Sequence, residues 1–202
     1  MNSQNYSQLS TLELERLARS IKPGEWAVES RRPIATLLGS CVAVCLIDTG
    51  IPIAGMNHFM LPKMKKSEHS DADELLAGDA CMEALLNALL NRGAARHRIQ
   101  AKAFGGGTVI DGITISELSV GKRNTEFACE WLQTERIPLV ASNFLGPWSR
   151  KVILVPETGD AYCKRIASNM INAETLRREE QAYAESLEKA ARIEKTSKIE
   201  LF

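Results

Sequence analysis

The 202-residue sequence has no apolar run approaching the roughly 18 residues needed to span a bilayer, so no membrane insertion is expected. Its N-terminus, MNSQNYSQLSTLELERLARS, is polar and lacks the apolar stretch of a secretory signal, which makes the cytoplasm the expected location. Neither sign of charge dominates. Lys plus Arg and Asp plus Glu number 25 each, so net charge gives no case for a nucleic acid or membrane partner. There is no CxxC pair, the five cysteines are irregularly spaced, and none of the three histidines stands at zinc-finger distance from them. A disulfide framework and a structural metal are therefore not expected, and most of the thiols read as small buried hydrophobes. Internal repeats and low-complexity tracts are also missing.

What is present suits one globular domain, with 45% hydrophobic and 25% charged residues. Residues 1–22 read as a tail with a short helix, capped by Ser10 or Thr11 and offering Leu12, Leu14 and Leu17. GEWAVES, IATLL, CVAVCLID and IPIAGMNHFML read as strands, the last two flanking a turn at Asp48-Thr49-Gly50. Leu75, Leu76, Cys81, Met82, Leu85, Leu86, Leu89 and Leu90 recur at helical spacing between Ala72 and Arg92. IQAKAF reads as a strand running into Gly105-Gly106-Gly107, and a helix is expected from Asn124, as N-cap, to Arg136. IPLVASNF and KVILVP…TGDAYCKRI read as strands, and 169–202 as a charged helical tail around a 23–168 catalytic domain. Interleaved helices and hairpins without βαβ regularity predict an α+β fold, a mixed sheet or sandwich with outer helices.

Within TLLGSCVAVCLIDTGIPIAGMNHFMLP, Cys41 and His58 fall in otherwise apolar strands. A hairpin turning on Thr49-Gly50 opposes Asp48 to Ile51, Cys45 to Ala54 and Cys41 to His58. Opposed residues share a face, with Cβ atoms about 4.5–5.5 Å apart. A three- or five-residue loop, or a bulge near Pro52 or Gly55, would shift that pairing. A paired imidazole would take the thiol's proton and later return one to a leaving group. Gly39-Ser40 would let the backbone turn and bring N–H groups near the sulfur. The alternative is an ordinary core thiol and a satisfied histidine.

LGSCVAVCLID, AGMNHFMLP, AKAFGGGT, VGKRN and, more loosely, ETGDAYCKR together resemble the chemoreceptor glutamine deamidase family, CheD, from about Gly24 to Arg165. The resemblance implies a mixed β-sandwich flanked by helices, shared with certain deamidating toxins, with Cys41 as nucleophile and His58 as base. It implies a protein-glutamine deamidase that converts glutamines on the cytoplasmic helices of methyl-accepting chemoreceptors to glutamate, without a cofactor. Hydrolysis of receptor methyl esters and binding of the phosphatase CheC are further implied for some members. In that family a threonine six residues before the cysteine orients the histidine. Here the sixth position is Ala35, and Thr36 stands five before. Neighbouring strand residues face opposite sides, so Thr36 is expected to serve only through a bulge or twist. Otherwise a backbone carbonyl or another polar residue orients His58. Two other readings keep the fold: a non-catalytic adaptor for receptor or CheC, and a cysteine hydrolase acting on another protein amide or ester.

The triple glycine fits neither GxGxxG nor a P-loop and reads as a tight loop beside the site. Lys122, Arg123 and Asn124 read either as solvated residues and a cap or as groups that shape the site. Asn57 reads as structural, His69 and His97 as exposed, and Cys45, Cys81 and Cys129 as packing residues.

Overall fold

A computed structural model of the chain describes residues 6, 9–60, 71–107, 120–166, 178 and 185. In chain order the elements are α1 (Thr11–Leu17), β1 (Arg19–Ser20), β2 (Trp26–Glu29), β3 (Ile34–Leu38), β4 (Val42–Asp48), β5 (Ile53–Asn57), α2 (Asp71–Asn91), β6 (Ile99–Gly105), α3 (Val120–Thr134), β7 (Leu139–Phe144), β8 (Ser149–Val155) and β9 (Asp160–Ile166). The strands make two sheets, ordered β1-β3-β8-β9 and β2-β5-β4-β6-β7. The β1–β3 and β6–β7 pairs are parallel and the others antiparallel.

Side-chain alternation decides the layering. Ile34, Leu38, Val152 and Leu154 of the four-stranded sheet meet Ala43, Cys45, Ala54 and Met56 of the five-stranded sheet in an inner core. The other face of the five-stranded sheet presents Val42, Val44 and Leu46 to Met82, Leu85 and Leu89 of α2 and to Phe127 and Trp131 of α3. Phe59 and Phe127 pack edge to face there, with ring centroids 5.5 Å apart. On the far side Leu14 of α1 packs on Ala35, Ile153 and Val155. The expected mixed sandwich flanked by helices is the observed one. Among the described residues no helix is long and apolar enough to cross a membrane.

Several local expectations change. The α1 helix is capped by Ser10 in a capping box with Glu13, and it buries Leu14 while Leu12 stays 68% exposed. Residues 11–21 are packed and paired with the four-stranded sheet rather than trailing from it, since Arg19 and Ser20 align with Ile34 and Ala35. The α3 helix starts at Val120, which puts Asn124 inside the helix instead of at its cap. Apart from Arg178 and Glu185, the 169–202 tail lies outside the described residues, as do His69 and residues 62–66.

The β4–β5 register also differs from the expected one. Asp48 pairs with Ile53, Ile47 with Ala54 and Cys45 with Met56, so the turn takes in residues 49–52. Two local forces lengthen it. Pro52 has no N–H to give a ladder, and the Asp48 carboxylate accepts from Gly50 N–H at 2.7 Å. A displacement of two residues leaves every side chain on its expected face.

Asp48 anchors this end of the sandwich. Its side chain is fully buried and accepts from Arg98 at Nε and Nη2, both at 2.8 Å, and from Ala95 N–H at 2.8 Å. The Arg98 guanidinium holds the carboxyl well below the usual carboxylate range, against the opposing effect of burial. This stabilisation is present above pH ~4 and is lost as pH falls toward the depressed folded value. Asp48→Asn should cost about 2 kcal/mol in urea unfolding at pH 7, discounted because Arg98 is partly open to water. The gap between wild type and variant should narrow at pH 3, and equal gaps at both pH values would refute the assignment.

Candidate active site

The chain leaves the four-stranded sheet after Leu38 and enters the five-stranded sheet at Val42, so Gly39-Ser40-Cys41 is the crossing. All three carbonyls of the crossing are held. Gly39 O accepts from Gly107 N–H at 2.8 Å, Ser40 O from Asn124 Nδ2 at 2.9 Å, and Cys41 O from Gly106 N–H at 2.8 Å. The triple glycine makes this contact possible. A Cβ on Gly105, which has φ +125°, would lie 2.1 Å from Cys41 O, and one on Gly106 would strike Thr125 and the Gly121 carbonyl. Gly121 of VGKRN is the reciprocal partner, since its Cβ would lie 2.4 Å from Gly106 O. The GGG and GKRN motifs thus lock together behind the cysteine.

Cys41 turns into the space between the sheets and is buried. Val42 and Phe59 exchange both backbone hydrogen bonds, at 3.0 and 2.9 Å, in the same register as the hairpin below. That register sets Cys41 against Met60 and His58 against Ala43. Cys41 and His58 are therefore diagonal neighbours on one face, not directly opposed, at the roughly 7–8 Å typical of such pairs. The cause is the longer turn at 49–52.

Thr36 closes the arrangement from the other sheet. Its Oγ1 lies 2.8 Å from His58 Nδ1 and donates to Ile21 O at 2.9 Å. The hydroxyl has one hydrogen, and a carbonyl can only accept it. Thr36 must then accept from Nδ1–H, which leaves the lone pair on Nε2. The Nε2 atom has no hydrogen-bond partner among the described residues. No bulge or twist is needed: β3 runs in unbroken register with β8, and Thr36 shares its inner face with Ile34 and Leu38 while Ala35 faces α1. The count back from Cys41 misleads because β3 and β4 belong to different sheets, so side-chain alternation does not carry across Gly39-Ser40.

Segments flanking β1 and β2 complete the frame. Ile21 N–H donates to Ala35 O at 2.9 Å, which sets the Ile21 carbonyl over Thr36. His58 N–H donates to Glu25 O, and His58 O accepts from Gly24 N–H. Burial pushes the imidazole down to about 3, partly opposed by the Ile21 carbonyl, so His58 is neutral at rest. A neutral imidazole is not half of a preformed ion pair.

The remaining candidates fall elsewhere. Burial pushes Cys45 up to about 12 and Cys81 up to about 11, which makes both inert packing thiols. Cys129 is only half-buried. The Asn57 side chain serves the opposite face, accepting from Val44 N–H at 2.9 Å and approaching Met82 Sδ at 3.1 Å. His97 is exposed. Lys122 pairs with Glu126 along α3 at 3.7 Å. Sequence reading passed over Ile21, whose part depends on a pairing between distant segments, and Arg150. The latter is fully buried and donates to Asn143 Oδ1 at 2.8 Å, to Trp148 O at 3.2 Å and to Leu145 O. It fixes the β7–β8 turn, whose Leu145 N–H in turn donates to Gly105 O at 2.9 Å.

A thiol, an imidazole of fixed tautomer and a hydroxyl that sets it, gathered between two sheets, are groups of the kind that cysteine-dependent acyl transfer uses. Comparison with known proteins places the chain more closely. Residues 60–165 match the family model described as CheD chemotactic sensory transduction. A probable chemoreceptor glutamine deamidase CheD 2 of Dechloromonas aromatica is 58% identical over 199 residues, covering 98% of this chain and all of that one. Proteins of like name from Burkholderia thailandensis (39% identity; 94% and 95% covered) and Shewanella oneidensis (41%; 84% and 81%) are also similar. The chain belongs to the CheD family.

The buried neutral imidazole carries a stability signature. Below pH ~6.5 the unfolded chain binds a proton at His58 that the folded chain refuses until about 3. Stability should therefore fall on acidification across that window by up to about 1.4 kcal/mol per pH unit from this group. Urea midpoints of wild type and His58→Gln between pH 7 and 4.5 should converge as pH falls. Parallel curves would show that His58 titrates freely in the folded protein.

Proposed function

We propose that this chain is a protein-glutamine deamidase of chemoreceptors, acting through a Cys41 thioester with His58 as base and Thr36 as its orienting partner. The observation that carries the reading is the Ile21–Thr36–His58 chain of hydrogen bonds, which reserves Nε2 as a lone pair on the face occupied by Cys41. A histidine kept only for packing has no need of a fixed tautomer with its second nitrogen unsatisfied.

The chemistry follows from these parts. His58 Nε2 takes the Cys41 proton as sulfur attacks the carboxamide carbon of a substrate glutamine. Negative charge develops on the amide oxygen, where N–H groups of the crossing can meet it. Collapse expels ammonia, which leaves with the proton held by His58. Water, losing a proton to the same nitrogen, then attacks the thioester and releases glutamate and the thiol. Only a glutamine side chain must enter, so the rest of a large helical receptor can stay outside. Each turnover leaves one carboxylate on the receptor helix, a change of charge that can alter helix packing there. Cytoplasmic action and a CheC-type phosphatase as a second partner accompany the reading through the family resemblance.

The test is deamidation of a chemoreceptor cytoplasmic fragment, followed by ammonia release and by glutamine-to-glutamate mass change in mapped peptides. Cys41→Ala should abolish turnover. Thr36→Val, nearly the same shape without the hydroxyl, should lower kcat roughly 10- to 100-fold with the fold retained. Binding without turnover by wild type would favour the adaptor reading instead, and full activity of Cys41→Ala would remove the thioester mechanism.

A further inference from the structure

We propose that Asn124 is a positioning residue that aims the Cys41 N–H at the oxyanion formed during acyl transfer, an inference that rests on Cys41 being the nucleophile. A trans peptide points its C=O and the following N–H in opposite directions. Fixing the Ser40 carbonyl therefore fixes the Cys41 N–H. The group that fixes it is the Asn124 carboxamide, fully buried in α3, whose Nδ2 donates to Ser40 O at 2.9 Å. Because a carbonyl only accepts, the amide nitrogen must face it, and the N–H of Cys41 points away from α3.

The neighbours make Asn124 the adjustable member of the crossing. Gly39 O and Cys41 O are held by backbone N–H groups of Gly107 and Gly106, which no side-chain substitution removes. The Ser40 carbonyl between them is held by a side chain. The α3 helix can bring that side chain so close only because Gly121 and Gly106 meet backbone to backbone. A donor used merely to secure a loop would serve the fold. This one sets the direction of the peptide whose nitrogen belongs to the nucleophile itself, and an oxyanion donor must be aimed before charge develops.

The experiment separates aim from fold by giving Cys41 two reagents in the full-length chain, with modification at Cys41 followed by peptide mass. With p-nitrophenyl acetate, sulfur bonds to the acetyl carbon, the thiol proton passes to His58 Nε2, and the carbonyl oxygen bears charge. The acetyl–oxygen bond then breaks, and p-nitrophenolate leaves with its electron pair. With iodoacetamide, sulfur displaces iodide and no oxyanion forms. The ratio of acylation to alkylation rates thus reports oxyanion stabilisation with thiolate content and access divided out.

Asn124→Ala should lower this ratio roughly 10- to 100-fold at every pH. Asn124→Asp keeps the shape and supplies a donor only while the introduced carboxyl is protonated. Its ratio should stay near wild type at low pH and fall as pH rises through that ionisation, a dependence the alanine variant lacks. An unchanged ratio in Asn124→Ala overturns the proposal, as does a pH-independent ratio in Asn124→Asp. A parallel loss of both rates does the same, because it would mean that Asn124 only holds the loop together. The ester needs no receptor, so the test stands even if no receptor fragment is a substrate. Failure of the ester to acylate wild-type Cys41 would overturn both this proposal and the nucleophile assignment.

Discussion

The setting of Cys41 depends on one passage of chain between two sheets. Three successive carbonyls, at residues 39, 40 and 41, are each tied to a partner across the crossing. An unpaired buried carbonyl would cost on the order of 1–3 kcal/mol, so the crossing is stable only where all three partners converge. That requirement draws together the triple glycine, the start of α3 and the turn after β7. Gly105 is held by Leu145 N–H, and Leu145 O is held by the buried Arg150 guanidinium. The triple glycine, a tight loop in the sequence reading, is a backbone clamp on the crossing.

The second constraint is the single hydrogen of the Thr36 hydroxyl. Once it is given to Ile21 O, the tautomer of His58 is decided and the free lone pair lies on Nε2. The three groups involved come from a segment after β1, from β3 and from the end of β5, so the imidazole is set by parts of both sheets. Burial then keeps it neutral. A charged imidazole here would need a counterion, and among the described residues no carboxylate shifts it. A neutral imidazole on the same face as a buried thiol leaves no standing ion pair between them.

The layering and the faces of this structure were legible in sequence because they follow from period-two alternation, which a turn of unexpected length did not disturb. Cys41 and His58 are legible as candidates for the same reason, whereas Thr36 enters only through the resemblance to the CheD family. The exact pairing is not legible, since Pro52 and the Asp48 carboxylate extended the turn by forces that alternation does not record. The facing of Ala35 and Thr36 is not legible, and no bulge is needed, because counting along one strand fails where the chain changes sheets. Asn124 is visible in GKRN as either a helix cap or a group that shapes the site. Its contact with Ser40 spans 84 residues, and no local pattern predicts it. Ile21 was set apart with the N-terminal tail, although its carbonyl is the acceptor that decides the tautomer.

The two ends of β4 divide the labour of the sandwich. At one end Asp48 is satisfied four times, twice by Arg98 and by the N–H groups of Gly50 and Ala95, and it has no capacity left for a ligand. At the other, roughly 20 Å away along seven residues, His58 Nε2 has no hydrogen-bond partner among the described residues. Leaving a buried nitrogen unsatisfied is a destabilising choice, and it is tolerable where the surrounding backbone is held on every side. The clamped crossing supplies that hold at the end of the sheet where Cys41 lies, while the saturated carboxylate closes the opposite end.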